Sequence, residues 1–385
     1  MTINGVELFA GGGGLLLGSS KAGVNHLAAA EWNKWACQTV RENQKISNSL
    51  VEGVKVLEGD VRSINWGREI ENVQVDLVTG GPPCQPFSLG GMGRNADDPR
   101  DMFPATTAVI EQLKPKAFVI ENVKGLTRSS FSQYLEYIKL RLQHPEIRST
   151  RGETWIEHFD RLQREHTSVR SDLKYNLITQ VVDAADYGVP QRRHRIFFVG
   201  FREDVEAQWC FPAPSHSAAA LRRDQEVGDY WDRHRVPRAQ RLILRSGSTG
   251  DFTLKPWRTV RDALKGLPDP GEGPKFAEMD HLFKAGAKSY PGHTGSPLDE
   301  PSKALKAGVH GVPGGENMIR FPDGKVRYYT VREAARIQTF PDSYRLHGAW
   351  SEALRQLGNA VPVELAKVVM TSVVQHLTLD EQSPA

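Results

Sequence analysis

Over roughly its first two hundred residues the chain keeps exchanging a short apolar run for a longer stretch with helical spacing. Runs at Val6 to Ala10, His26 to Ala30, Val54 to Glu58, Val75 to Thr79, Ala117 to Ile120, Asn176 to Val182 and Ile196 to Phe201 have the length and composition of strands. Between them lie amphipathic segments such as Trp35 to Asn43 and Ala105 to Lys114. Parallel strands need long crossover connections, and a helix is the usual way to build one. The alternation therefore predicts an α/β domain of the Rossmann-like, doubly wound kind, with a mostly parallel sheet flanked by helices. With 385 residues, 39% of them hydrophobic, the chain can bury one large core and a smaller second one.

After Phe201 the pattern breaks. From about Glu203 to Tyr329 the sequence is rich in Gly, Pro, Arg and Ser, as in Pro212-Ala-Pro214, Pro268-Asp-Pro270 and Gly311-Val-Pro-Gly-Gly315. Such punctuation predicts a smaller, loop-rich second domain. The expected division is a first domain over residues 1–205, completed by 355–385, and a second over 206–354. Helical spacing returns at Thr330 to Thr339 and at Val363 to Leu377, the latter with Val363, Ala366, Val369, Val373 and Leu377 on one face. Leu140 to Asp172 is charged and weakly patterned, and reads as a surface elaboration.

Composition narrows the class. No apolar run is long enough for a membrane span. Met1 to Ala10 lacks the basic start of a secretory signal. Three cysteines, Cys37, Cys84 and Cys210, are too few and odd in number for a disulfide framework, which favours a reducing cytoplasm. A net charge of +3 identifies no partner by itself.

In an open α/β sheet, ligands bind beyond the carboxyl ends of the strands. After the first run comes Phe9-Ala-Gly-Gly-Gly-Gly14, a turn in which Phe9, Gly11 and Gly13 can approach a ligand closely. Leu16 stands where a dinucleotide fingerprint would need its third glycine, which counts against a nicotinamide cofactor. After the second run come Glu31, suited to ribose hydroxyls, and Trp32, suited to an adenine face. After the third, Asp60 is placed either to hold an adenine amino group or to cap a helix. A glycine turn and two acids at three successive strand ends together suggest a nucleoside cofactor without a long phosphate chain.

After the fourth run comes Gly80-Gly-Pro-Pro-Cys84-Gln-Pro-Phe-Ser88. Two prolines extend the chain just before the thiol, so Cys84 reads as a nucleophile rather than core filler. Leu89 to Arg100 carries three glycines with Arg94 and Arg100 and little to bury, which predicts a mobile loop that closes over the substrate. After the fifth run, Glu121 is placed to donate a hydrogen bond to a heterocycle nitrogen. Gln191-Arg-Arg-His-Arg195 leads into the last run, and strand periodicity puts Arg193 and Arg195 on one face, fit for a base carbonyl and a phosphate. Arg233, Arg235, Arg238, Arg241 and Arg245 follow one another with no acid between them, as phosphate contacts would require.

The ordered set Phe-x-Gly-x-Gly, Glu-Trp, Gly-Asp, Pro-Pro-Cys-Gln, Glu-Asn-Val, Gln-x-Arg-x-Arg, Arg-Glu-Ala-Ala-Arg (Arg332 to Arg336) and Gly-Asn-Ala-Val-Pro (Gly358 to Pro362) resembles the bacterial DNA (cytosine-5)-methyltransferases. The resemblance implies a methyltransferase fold that binds S-adenosylmethionine, releases S-adenosylhomocysteine and uses no metal. It implies that Cys84 attacks carbon 6 of a flipped cytosine, that Glu121 holds ring nitrogen 3, that Arg195 contacts the base oxygen and Arg193 the neighbouring backbone. Phe9, Gly11, Gly13, Glu31, Trp32, Asp60, Val61, Pro82 and Asn359 would serve the cofactor, with Asn359 also ordering the Cys84 segment. Pro83, Gln85, Ser88, Arg94, Gln191, Arg233, Arg235, Arg238 and Arg241 would face double-stranded DNA, the middle region acting as target recognition domain. It further implies a monomer in the bacterial cytoplasm, at the nucleoid through its DNA, beside a separate cognate restriction endonuclease. The alternatives are a transfer-RNA cytosine-5 methyltransferase, a catalytically inactive DNA-binding homologue and, less in keeping with the glycine spacing, a dehydrogenase.

Overall fold

In the computed structural model, which describes residues 2–83, 101–165, 172–205, 208–241, 252–308 and 317–380, the apolar runs pair into one seven-stranded sheet. The strands are β1 (Ile3–Leu8), β2 (Val24–Glu31), β3 (Lys55–Glu58), β4 (Leu77–Gly80), β5 (Ala117–Val123), β6 (Tyr175–Asp183) and β7 (His194–Arg202), in the order β3-β2-β1-β4-β5-β7-β6. Pairing is parallel throughout except at β7, which runs antiparallel to both β5 and β6. β7 therefore lies inside the sheet rather than at its edge.

Helices α1 (Gly14–Lys21), α2 (Lys34–Gln44), α3 (Trp66–Glu69), α4 (Phe103–Leu113), α5 (Ser132–Gln143) and α6 (Trp155–Glu165) accompany these strands. The central strands are buried on both faces, and the period of two sorts their side chains between layers. Phe118 and Ile120 of β5 join Val6, Leu8 and Val78 in one apolar cluster, while Ala117 and Val119 join Ile3, Leu77 and Val199 in another.

The charged stretch from Leu140 to Asp172 is more than a surface elaboration. Trp155, Phe159 and Leu162 recur at helical spacing along α6, and Phe159 and Leu162 are buried in the first cluster together with Leu142 and Ile147 of the same stretch.

The second region contributes α7 (Ala218–Val227), α8 (Tyr230–Arg233), α9 (Val260–Leu264) and α10 (Pro274–Glu278). Its strands are short: β8 (His216–Ser217) pairs with β9 (Lys255–Pro256), and β10 (Ser296–Pro297), β11 (Met318–Arg320) and β12 (Val326–Tyr328) form a three-stranded sheet. Then come α11 (Val331–Ile337), α12 (Trp350–Asn359) and α13 (Val363–Asp380). Ala334, Ile337, Tyr344 and Leu357 share one apolar cluster with Leu16, Leu17 and Val40 of α1 and α2, so the chain after β12 is packed onto the large sheet's helices.

The expected apolar face of α13 is all buried: Ala366, Val369, Val373 and Leu377 lie in the cluster that includes Leu15 of α1 and Val119 of β5, and Val363 lies in the cluster with Leu16, Leu17 and Leu357. The fit is tight. A Cβ placed on Gly18 of α1 would stand 2.3 Å from the Cβ of Ala366, so only glycine permits this crossing.

Candidate active site

The direction of β7 decides what meets at the sheet's carboxyl edge. Because it runs against β5, its first residues lie beside the last residues of β5, with Arg195 opposite Val123 and Phe197 opposite Glu121. Glu121 is thus a strand residue, and its Oε1 forms an ion pair with Nε of Arg195 at 2.5 Å, both side chains nearly covered. Burial pushes the Glu121 carboxyl above the ordinary carboxylate range, with Arg195 and then Arg193 pulling the other way.

The exit of β4 approaches the same pair. A Cβ on Gly81 would stand 3.2 Å from Oε2 of Glu121. Asn122, the next residue along β5, donates its Nδ2 to the carbonyl of Pro82 at 3.1 Å. Pro83 is the last described residue of this exit, and Cys84, Gln85, Ser88 and Arg94, with the loop expected at Leu89 to Arg100, lie outside the described residues, as does Arg245.

Two expected DNA-facing residues are internal instead. Arg193 is 1% exposed and spends its guanidinium on main-chain carbonyls, Nη1 on Leu305 at 2.9 Å and Nη2 on Gly358 at 2.6 Å. Gln191 is fully buried, donating to Oε1 of Gln338 at 2.9 Å and accepting from the Leu305 amide at 2.9 Å. Buried polar groups must be paired, and here Arg193 pairs with main-chain carbonyls, Gln191 with the Gln338 side chain and the Leu305 amide. Together they tie the entry of β7 to the residues around Leu305 and to Gly358, next to the exposed Asn359.

The cofactor candidates gather at the ends of β1, β2 and β3. Phe9 is held at φ 57, a strained conformation for a residue with a side chain. Gly11 (φ 55) and Gly13 (φ 88) take the left-handed conformation that glycine adopts without cost. A Cβ at Gly11 would meet nothing within 4 Å, so the turn leaves room above it. Glu31 accepts from the Gly11 amide at 2.8 Å and the Asn33 amide at 2.7 Å. Burial still pushes its carboxyl above the usual range. Beside it the Trp32 indole is 78% exposed, an apolar plate turned to solvent.

Asp60 shows the capping alternative. It accepts from the Arg62 amide at 2.9 Å, starting a single 3₁₀ turn at Val61–Ser63, and pairs with the Arg62 guanidinium at 2.5 Å. That guanidinium holds the Asp60 carboxyl below its usual range. Val61 itself is buried in the core.

The arginine run divides. Arg233 pairs with Asp224 at 2.7 Å and also with Asp229, and Arg241 pairs with Asp232 at 2.6 Å, so neither is spare for a phosphate. Arg235 and Arg238 are exposed, and neither pairs with an acid among the described residues. The Asp229–Arg233 spacing of four residues was the available sign of this neutralisation.

Sequence reasoning passed over Tyr344, 4% exposed, whose hydroxyl donates to the Gly12 carbonyl at 3.0 Å. It also passed over Glu7, buried in β1 beneath the glycine turn with Thr79 donating to it at 3.0 Å.

The family model of C-5 cytosine-specific DNA methylases matches residues 3–145 and 165–375. The Type II methyltransferase M.PspPI of Psychrobacter sp. (strain TA137) is 30% identical over 380 residues, covering 97% of this chain and 79% of that protein. The Type II methyltransferase M.MthTI of Methanothermobacter thermautotrophicus is 28% identical over 384 residues and 98% of each chain. Among solved structures, the S. pombe Dnmt2 methyltransferase covers 100% of each chain with a TM-score of 0.56 and 17% identity, a likeness of fold.

Proposed function

The chain belongs to the C-5 cytosine-specific DNA methylase family and methylates cytosine in DNA at carbon 5; from that premise we propose how its residues divide the work. The observation that carries the proposal is the buried Glu121–Arg195 pair, set against the strand exit that leads to Cys84.

The room above Gly11, the Glu31 carboxylate and the exposed Trp32 fit an adenosyl group. Phe9, Gly11 and Gly13 line it, Glu31 holds ribose hydroxyls, Trp32 covers the adenine, and Asp60 takes the adenine amino group once a ligand competes with Arg62. Val61, Pro82 and Asn359 close the surroundings. Bound S-adenosylmethionine supplies a methyl group made electrophilic by its sulfonium.

A stacked base cannot be reached, so the cytosine is turned out of the duplex at a cost of roughly a few kcal/mol. The Cys84 thiolate forms a bond from Sγ to carbon 6, and the ring's electron pair moves toward nitrogen 3. Glu121, whose proton affinity burial raises, donates there, and Arg195, which faces the base oxygen, becomes the counter-charge of the carboxylate left behind. Carbon 5 thereby becomes nucleophilic enough to be methylated. The carbon-5 proton passes to water as the Sγ–carbon-6 bond breaks, which restores the ring and the Cys84 thiolate, and the nitrogen-3 proton returns to the Glu121 carboxylate. Arg193 and Gln191 hold this edge in place from inside.

Sequence reading is assigned to the unit at 206–354, working as a monomer on double-stranded DNA. Arg235 and Arg238 are its spare cations. The stretch from His281 to Leu298 contains no acid and presents Phe283 (45% exposed) and Tyr290 (51% exposed) beside Lys284 and Lys288, a mixture suited to phosphates and bases. The relatives' description as Type II methyltransferases supports a cognate restriction endonuclease acting separately.

Expression in a methylation-free host followed by bisulfite sequencing tests the activity and reads out the target site. Trapping on 5-fluorocytosine DNA tests the mechanism: the wild-type protein should form a covalent complex and Cys84→Ala should not. Turnover persisting in Cys84→Ala would remove the nucleophile assignment.

A further inference from the structure

We propose that Gln338 is a positioning residue for cofactor binding: it holds the main chain on both sides of Asn359 and, through Gln191, ties that segment to the entry of the strand that carries Arg195. The inference rests on the cofactor role given to Asn359 above.

Asn359 is exposed at the end of α12, yet the chain around it is pressed onto the glycine turn. A Cβ on Gly12 would stand 3.1 Å from the Cβ of Gln356, and one on Gly14 would stand 2.3 Å from the Val361 carbonyl oxygen. Any shift of this segment therefore moves Asn359 relative to that turn. The end of a helix leaves carbonyls with no partner in the helix. Here two side chains from elsewhere take them. Gln338, fully buried just after α11, donates its Nε2 to the Leu357 carbonyl and to the Ala360 carbonyl, the latter at 3.1 Å. Arg193 takes the Gly358 carbonyl between them. The Gln338 main-chain carbonyl accepts from the Val363 amide at 3.1 Å, where α13 begins. Residues 357, 358, 360 and 363 are thus all held by groups outside α12 and α13, with Asn359 in their midst.

Closing the end of a helix needs only the donor half of this amide. The other half, Oε1, accepts from Nε2 of Gln191 at 2.9 Å, and Gln191 in turn accepts from the Leu305 amide at 2.9 Å. Gln191 lies two residues before Arg193 and four before Arg195, whose guanidinium pairs with Glu121. A single buried amide therefore stands between the segment that offers Asn359 to the cofactor and the strand that offers Arg195 to the base. With its nitrogen and its oxygen both engaged, that amide cannot turn without leaving a buried polar group unpaired. The positions of the two segments are fixed against each other by the same side chain.

Gln338→Met keeps the bulk and removes both halves of the amide. Affinity for S-adenosylhomocysteine, measured by calorimetric titration, should fall roughly tenfold, the equivalent of one lost hydrogen bond. Tyr230→Phe removes the bonds of another buried side chain, to Thr259 and Asp299 in the second region, and should keep cofactor affinity within about twofold at a comparable loss of stability. Asn359→Ala should weaken the cofactor too. Combined with Gln338→Met it should bind no worse than the weaker single variant, because Gln338 acts through Asn359. In the wild-type protein, which needs no substitution to survive, bound S-adenosylhomocysteine should slow hydrogen exchange both in residues 354–363 and in residues 188–196. Wild-type affinity in Gln338→Met, an equal loss in Tyr230→Phe, additive losses in the double variant, or no protection of residues 188–196 would each overturn the proposal. Wild-type affinity in Asn359→Ala brings down the cofactor role of Asn359 and this proposal together, whereas a weakened Asn359→Ala beside an unimpaired Gln338→Met brings down this proposal alone.

Discussion

Tyr344 donates its hydroxyl to the Gly12 carbonyl at 3.0 Å, and a Cβ on Gly13 would come within 2.7 Å of that same oxygen. The turn after β1 therefore rests on a residue more than three hundred positions away in sequence, and the cofactor role proposed for that turn predicts that binding depends on this support. Tyr344→Phe should cost about 1 kcal/mol of stability and weaken S-adenosylmethionine binding severalfold, because the turn loses its support while every proposed ligand contact stays. Urea denaturation and titration calorimetry measure the two effects. Unchanged affinity in a destabilised variant would sever the coupling.

How much of this was legible beforehand varies with the kind of interaction. The central strands β1, β4, β5 and β7 were visible because strands buried on both faces are written as apolar runs, and the strand-end rule then pointed to Gly11, Glu31, Asp60 and Glu121. The direction of β7 was not read from the sequence. It comes from the structure's bounds: the runs at Asn176 to Val182 and Ile196 to Phe201 leave thirteen residues between them, room for a crossover, whereas only residues 184–193 join β6 to β7. Gln191 and Arg193 were misjudged because a guanidinium or an amide serves a phosphate and a buried carbonyl equally well, and only tertiary structure shows that Leu305 and Gly358 arrive at that point. Trp155, Phe159 and Leu162 were hidden by the charges between them.

Two buried groups, Glu7 and His26, pull stability in opposite directions as pH changes. Burial raises the Glu7 carboxyl from 4.5 to about 8, with hydrogen bonds from Thr79 and the Leu16 backbone opposing. Between those values the native state keeps a proton that the unfolded chain has lost, so stability falls as pH rises through the window and the loss is complete above it. His26 does the reverse. Burial lowers it from 6.5 to about 3, so stability falls as pH drops below 6.5 and the unfolded chain takes up the proton. Glu7→Gln should remove this group's decline between pH 4.5 and about 8, worth on the order of a few kcal/mol, and should leave the slope unchanged only below pH 4.5, where the His26 effect acts without it. Urea melts across a pH series check this. A decline of undiminished slope in Glu7→Gln would assign it to another group.

The arginines should separate by salt dependence. Arg193→Met leaves two buried carbonyls without a donor and should destabilise the protein by about 3 kcal/mol, without altering the slope of log affinity for DNA against log salt. Arg235→Ala and Arg238→Ala should barely change stability and should each lower that slope by about one. Arg233→Ala, whose cation is already matched by Asp224 and Asp229, should leave the slope alone. A slope change in Arg193→Met would return that residue to the DNA surface.

Trp32 gives the most direct test of the cofactor site, since a large indole at 78% exposure contributes little to the core. Trp32→Ala should melt within about 1 °C of the wild type, because surface changes away from packed features rarely matter by more than about 0.5 kcal/mol. If the indole stacks on an adenine, the same change should weaken S-adenosylmethionine and S-adenosylhomocysteine alike by roughly tenfold, which corresponds to about 1.4 kcal/mol of stacking. Trp32→Phe, which keeps an aromatic plate, should recover most of the affinity, and Trp32→Leu, similar in apolar bulk but without a π face, should not. Calorimetric titration of all three variants separates stacking from simple burial: equal affinities for Phe and Leu would mean that Trp32 offers only apolar area, and wild-type affinity in Trp32→Ala would move the adenine away from β2 altogether.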